Sequence, residues 1–416
     1  MNDYLEKYRF DFIVLGFTLH AIGGILRTIT NNNLPMIILG IIAWYYILKG
    51  FWSIKSYLGQ NGFSTGYQLL FRFYLLQCVI MIIRGYLIDY RYQWMSIAGM
   101  FNFHFLDRYY LLPYLMPLVC YIPWQYYKFD KFCKYASWIG LISGIFLLLF
   151  FPTIMQASVR AMSGIEIAKI DSGVDFRFYT AFAFASLLAA YITPKVWLMN
   201  LVGLISMLLI NMIAARRGSG LISAIILVES LYFWSKFKQQ QIGLYAKIIV
   251  FIIIGCSIYF VLHSSLFDYL FQRGMEDSRS GVDKALLAQM DTLEQIIGKG
   301  LNGRYYYPII ARDYLQGWRY GSETGFYNIV LKGGYLMAFT YILLLVIPAY
   351  KGLFKSENFL CKAGGFFIFL SLFELYPFGW LEFSVKFLVI WMMVVLCMNS
   401  DIRSMDDDQI KQQFFQ

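Results

Sequence analysis

Charged side chains are scarce in this chain. Asp, Glu, Lys and Arg make up 14% of its 416 residues, while 59% are hydrophobic and the mean hydropathy is +0.57. A water-soluble domain carries roughly a quarter charged residues, so that shortage excludes a soluble globular protein. Cysteine is also sparse: Cys78, Cys120, Cys133, Cys256, Cys361 and Cys397 stand singly, which excludes a disulfide framework and a CxxC metal site. The three histidines, His20, His104 and His263, are too far apart for metal-ligand spacing. No metal or cofactor is therefore expected. The halves of the chain show no matching pair of Gly/Pro-interrupted helices, the mark of many transporters. The first apolar run, 10–26, has no small-residue cleavage site behind it and reads as a retained span rather than a signal peptide.

What is present is a long alternation of apolar runs and short polar connectors. Runs of the length needed to cross about 30 Å of hydrocarbon fall at 10–26, 34–48, 67–88, 109–123, 135–152, 175–193, 196–215, 220–235, 244–263, 323–347, 363–380 and 383–398. The expectation is one all-α polytopic membrane domain, 1–416, of about 12 transmembrane helices (about 10–13). Lysine sets its orientation. Lys49, Lys55, Lys128, Lys131, Lys134, Lys195, Lys236, Lys238, Lys351, Lys355 and Lys362 all fall in alternate connectors, and the positive-inside rule puts those in the cytoplasm. Both termini are then inside, and the long segment 264–322 is one large outward loop with short helices, between spans nine and ten.

Arginine follows the opposite pattern. Most arginines, among them Arg27, Arg84, Arg91, Arg108, Arg160, Arg177, Arg216, Arg217, Arg273 and Arg279, lie in outward connectors or at outward span ends. The net charge of +10 is thus divided between two membrane faces, and no nucleic acid is expected. Lysine serves as a point charge beside anionic lipid, whereas arginine offers a rigid fork for bidentate phosphate binding. An arginine-rich outer face therefore suits a polyanion such as a diphosphate; the alternative is that these side chains reach for lipid headgroups.

Three constellations rise above that background. Arg216-Arg217-Gly218-Ser219-Gly220 is a tight outward turn in which glycines let a ligand approach the backbone, and charge at membrane depth is costly unless used. Inside the loop, Ser280-Gly281-Val282-Asp283 matches a helix-capping pattern. Val282, Leu286, Met290, Leu293 and Ile297 follow as a helical stripe, with Gly298 as a stop. Arg279 stands just ahead of that helix start, where free N–H groups favour an anion. Third, Ser322-Glu323-Thr324-Gly325-Phe326-Tyr327-Asn328 opens span ten, with Lys332-Gly333-Gly334 behind it. Glu323 at a span end is either a general base with a raised pKa or a carboxylate that favours a helix N-terminus.

The order of these elements resembles the O-antigen polymerase and O-antigen ligase superfamily over roughly 211–350. The resemblance rests on the Arg-Gly turn, the large outward segment with an early arginine, and the polar residue with Tyr327-Asn328 and glycines opening the next span. Ligases typically carry His-Asn at that last element. Glu323 stands in the His position here, with Gly333 and Gly334 ten and eleven residues on, a departure that favours the polymerase. The resemblance implies inverting, metal-independent glycosyl transfer at the periplasmic face of a bacterial inner membrane. Donor and acceptor are glycans linked to undecaprenyl diphosphate, and a chain-length regulator protein is an implied partner. It assigns Arg217 and Arg279 to the diphosphate, Arg216 to a helping role and Glu323 to the acceptor hydroxyl. Arg304, Arg319, Tyr305 and Tyr320 are the loop's further candidates for contact with diphosphate or glycan. The Tyr305–Tyr320 aromatics either stack on sugars or form an interfacial belt. The rivals are a ligase transferring finished glycan to the lipid A core and, from another class, a flippase for lipid-linked oligosaccharide. In the polymerase reading the loop is a lid that brings Arg279 over span ends bearing Arg217 and Glu323.

Overall fold

The computed structural model describes residues 2–30, 32–52, 58–88, 101–162, 177–213, 217–238, 279–308, 317–322, 324–375 and 379–415. Its longer helices are α1 (Asn2–Thr30), α2 (Leu34–Phe51), α3 (Thr65–Ile88), α4 (Phe129–Met162), α5 (Pro194–Ile213) and α6 (Arg217–Lys238). There follow α7 (Arg279–Ala288), α8 (Thr292–Ile297), α9 (Gly325–Phe354), α10 (Phe359–Leu375), α11 (Val385–Met398), α12 (Ser400–Ser404) and α13 (Asp407–Phe414). One two-stranded ribbon, β1 (Tyr305–Tyr306) with β2 (Trp318–Arg319), accompanies them. Among the described residues, six stretches, Leu34–Phe51, Thr65–Leu87, Phe129–Leu149, Pro194–Asn211, Gly218–Phe237 and Gly325–Phe354, are long and apolar enough to cross a membrane. The chain is thus a mostly helical protein with the helices a membrane requires; the expected span 244–263 lies outside the described residues.

The chain forms two compact units. One comprises Ile25–Asn32, Lys128–Glu276 and Asp408–Gln416. In it α4 and α5 approach through glycine, as membrane helices do when small residues let backbones close. A Cβ on Gly140 would lie 2.5 Å from the Met199 carbonyl oxygen, and one on Gly203 2.5 Å from Gly140 itself. Trp197 stacks on Trp234 at 4.1 Å, and Phe415 stacks on Tyr191.

The sequence suggested a single span over 175–193, but that stretch is a 3₁₀ segment Arg177–Phe182, one turn Phe184–Leu187 and then non-helical chain. Tertiary partners hold it instead: the Ser230 hydroxyl donates to Ser186 O at 2.8 Å and the Tyr179 hydroxyl to Asn200 Oδ1 at 2.9 Å. Irregular backbone is tolerated in an apolar layer when protein surrounds it.

The other unit comprises Met1–Gly24, Asn33–Tyr127 and Asp277–Asp407. Its core helix is α11, buried along nearly its whole length, as an all-round apolar helix should be. Helix α9 packs on α10, α11 and α3, with Tyr67 donating to Leu344 O at 2.6 Å. The expected span 109–123 is also broken, into Leu112–Leu115 and a 3₁₀ turn Met116–Tyr121. Pro113, Pro117 and Pro123 supply the reason, since each removes a helix donor.

Helix α9 breaks at Gly334, which has φ 74° and ψ 177°. The break frees carbonyls, and residues 298–303 fill it. Lys299 N donates to Leu331 O at 2.8 Å and Gly300 N to Lys332 O at 3.0 Å, while Leu301 N donates to Met81 O of α3 at 2.9 Å. Arg84 Nε donates to Gly298 O at 3.0 Å and Lys332 Nζ to Gly303 O at 3.0 Å. The wedge fits only because its contacts are glycine. A Cβ on Gly334 would run into the Ile296 carbonyl, and one on Gly300, at φ +87°, into the backbone of Gly85. Part of the long loop is therefore built into the helical core.

Candidate functional site

The apolar stripe expected as one helix is two. Asp291 starts α8 with a capping box: its carboxylate accepts from Glu294 N at 2.7 Å, and Glu294 returns a bond to Asp291 N at 3.1 Å. That reciprocal pair competes with helix continuation and ends α7 early. Gly298, at φ +76°, ends α8 as expected. Val282, Leu286 and Met290 are buried, whereas Leu293 is exposed. Arg279 is part of helix α7, Arg279–Ala288, rather than a residue ahead of it.

Asp283, read as part of a cap, has a tertiary partner instead. It is 8% exposed, and its Oδ1 accepts from the Ser322 hydroxyl at 2.6 Å. Ser322 Oγ in turn accepts from Thr324 N at 3.2 Å. Asn328, one helical turn on, accepts from Ser322 N at 2.7 Å and donates to Ser322 O at 3.0 Å. Ser322 and Thr324, the neighbours of Glu323 on either side, are thus tied to the first turns of α7 and α9. The bond to the Asp283 carboxylate is worth about 1.5–3 kcal/mol and the neutral ones about 0.5–1.5 kcal/mol each.

The ribbon lies next along the chain. Tyr305 pairs with Arg319 and Tyr306 with Trp318, antiparallel. Gln289, in the turn after α7, clamps β1, donating to Tyr306 O at 2.9 Å and accepting from Tyr306 N at 2.7 Å. The Arg304 guanidinium sits 4.4 Å above the Trp318 ring, and Trp318 meets Tyr306 edge to face. Tyr305 is fully buried, with its hydroxyl donating to Gly321 O at 3.1 Å. Arg319 and Tyr320 are half-buried on the strand leading to Ser322. One unit therefore holds Arg304, Tyr305, Arg319, Tyr320 and α7, with Tyr305 bonded to Gly321 and Asp283 of α7 bonded to Ser322. Arg217 opens α6 in the other unit. Arg216 and Glu323, and the side chains of Arg217 and Arg279, lie outside the described residues.

Sequence reasoning passed over three features. Asp283 was assigned to a local cap. The Gly298-Lys299-Gly300-Leu301-Asn302-Gly303 wedge carries glycine spacing that marks close backbone approach. Glu374 and Lys386 form an ion pair between α10 and the start of α11, with side-chain exposures of 15% and 14%. Each is a lone charge in an apolar run, which is the signal that could have found them.

No protein-family model matches the chain, and neither the curated proteins nor the solved structures include a significant match to it.

Proposed function

We propose that the chain polymerises oligosaccharide repeat units carried on undecaprenyl diphosphate, at the periplasmic face of a bacterial inner membrane. The observation that carries this reading is the 2.6 Å bond from Ser322 to Asp283. It ties the helix bearing Arg279 to the immediate neighbour of Glu323, two residues that sequence reasoning had paired from the resemblance alone. Arg304 and Arg319 on the adjoining ribbon add positive charge to the same region.

In this reading Glu323 takes the proton from an acceptor hydroxyl as its oxygen attacks the anomeric carbon of the donor sugar. The anomeric carbon–oxygen bond breaks, and the electron pair leaves with undecaprenyl diphosphate. Arg217 and Arg279, helped by Arg216, stabilise that leaving charge as it develops. Arg304, Arg319 and Tyr320 extend the binding surface along the glycan, with Tyr305 supporting them from below.

The test is the surface glycan of cells carrying Glu323→Gln, Arg279→Ala or Arg217→Ala. Each variant is expected to stay in the membrane and to leave single repeat units on the lipid A core. A bare core in all three assigns a ligase instead, and long polymer in all three removes the site.

A further inference from the structure

Two charged side chains inside apolar helices take no part in the proposed reaction. Arg72 lies in α3, within the stretch Thr65–Leu87, and Glu229 lies in α6, within Gly218–Phe237. Arg72 is exposed, beside the exposed Leu69, Phe73 and Leu76. Glu229 is half-buried, at the edge of a face that exposes Val228 and Tyr232. Neither charge has a hydrogen bond or an ion pair among the described residues.

Their depths match. At 1.5 Å of rise per residue, Arg72 stands about 10 Å from the start of α3 at Thr65, and Glu229 about 13 Å from the end of α6 at Lys238. Lys55 precedes the first of these ends, and Lys236 and Lys238 close the second, so the positive-inside rule puts both at one membrane face. A charge at that depth is costly in hydrocarbon and is usually met paired or facing a polar cavity. Arginine can stretch back toward headgroups along its apolar stem, whereas the shorter glutamate side chain covers less of the distance. Along α6 the next basic residue is Lys236, two turns away. Glu229 thus calls for a cation at its own depth on another lipid-facing helix, and Arg72 is such a cation.

We infer that this face is a self-association surface, in which Arg72 of one copy pairs with Glu229 of a second copy. With α3 of each copy against α6 of the other, every charge is met, since each chain brings one of each sign. A closed pair that makes the same contact twice is the commonest arrangement of identical chains. Apolar helix faces have no hydrophobic drive to associate in lipid, and an arginine fork on a carboxylate supplies both attraction and register. The inference does not rest on the glycosyl-transfer reading.

The test uses two differently tagged full-length copies expressed in the same cells. Wild-type copies should co-purify in mild detergent. Two copies of Arg72→Glu, or two of Glu229→Arg, should do so roughly tenfold less. An Arg72→Glu copy mixed with a Glu229→Arg copy re-forms both pairs, and co-purification should return to within about twofold of wild type. Pairing inside one chain would not be rescued by such mixing. A second measurement keeps the native charges. Leu69→Cys in one copy and Tyr232→Cys in the other, each one turn nearer the lysine-bearing end, should cross-link with a bis-maleimide in native membranes. The inference is overturned if wild-type copies do not co-purify or if the single variants associate as wild type does. It is equally overturned if the mixed variants, both present in the membrane, associate no better than either alone, or if the two cysteines fail to cross-link.

Discussion

Replacing Gly334 by alanine should dislodge the wedge at residues 298–303. At φ 74° and ψ 177° an L side chain costs about 1–3 kcal/mol in strain alone. The new Cβ would also overlap the Ile296 carbonyl and the Ile297 nitrogen, and it is backbone that must give way. Moving it breaks the bonds from Lys299 N to Leu331 O and from Gly300 N to Lys332 O. Each carbonyl left buried and unpaired costs about 1–3 kcal/mol. The total is about 3–9 kcal/mol, against about 5–15 kcal/mol for the stability of a whole domain. Local detachment is the cheaper response. Leu301, fully buried between α3 and α9, reports it. In a Leu301→Cys background, Gly334→Ala should speed maleimide labelling by at least about a hundredfold, the equivalent of about 3 kcal/mol. Gly66→Ala, where an added Cβ meets nothing within 4 Å, should leave the rate unchanged. Equal labelling of the Gly334→Ala and parent proteins would refute the wedge.

Asp283→Ala should leave the chain in the membrane but reduce polymer formation more than tenfold, because the lost bond to Ser322 is worth about 1.5–3 kcal/mol; turnover in isolated membranes measures it. Lys386→Met should lower thermal stability in detergent by leaving the Glu374 carboxylate unpaired, a loss of about 3–5 kcal/mol for a fully buried pair and less at this part-exposed one. Adding Glu374→Gln to it should restore the melting temperature. Lys284→Cys, on the exposed side of α7, should react with a membrane-impermeant maleimide added outside spheroplasts. Glu357→Cys, between α9 and α10, should react only after permeabilisation, and the reverse pattern overturns the orientation.

Helices with plain apolar runs and proline or glycine at their ends were legible in the sequence. Helices α2, α3, α5, α6 and α11 fall within a few residues of expectation because length and hydropathy decide them. The stretches 109–123 and 175–193 were not, since an apolar run states burial but not whether its backbone bonds locally. Proline flagged the first; only the partners of Tyr179 and Ser186 explain the second. The split between α7 and α8 was in fact written in the chain, as Asp291 and Glu294 form a better capping box than Ser280 and Asp283. At the candidate site, sequence named Arg304, Arg319 and Tyr305 by residue type, yet burial and hydrogen bonding make Tyr305 a support for the ribbon. The Asp283–Ser322 bond and the Glu374–Lys386 pair join residues far apart in the chain, and no local pattern announces such a pairing.

The central proposal is tested most directly with purified protein in liposomes supplied only with lipid-diphosphate-linked repeat units. A ladder of lengthening glycan on the lipid, with release of undecaprenyl diphosphate and its loss in Glu323→Gln and Arg279→Ala, is the predicted result. A wild-type reaction that leaves every glycan at one repeat unit, or a ladder undiminished by both substitutions, would contradict it.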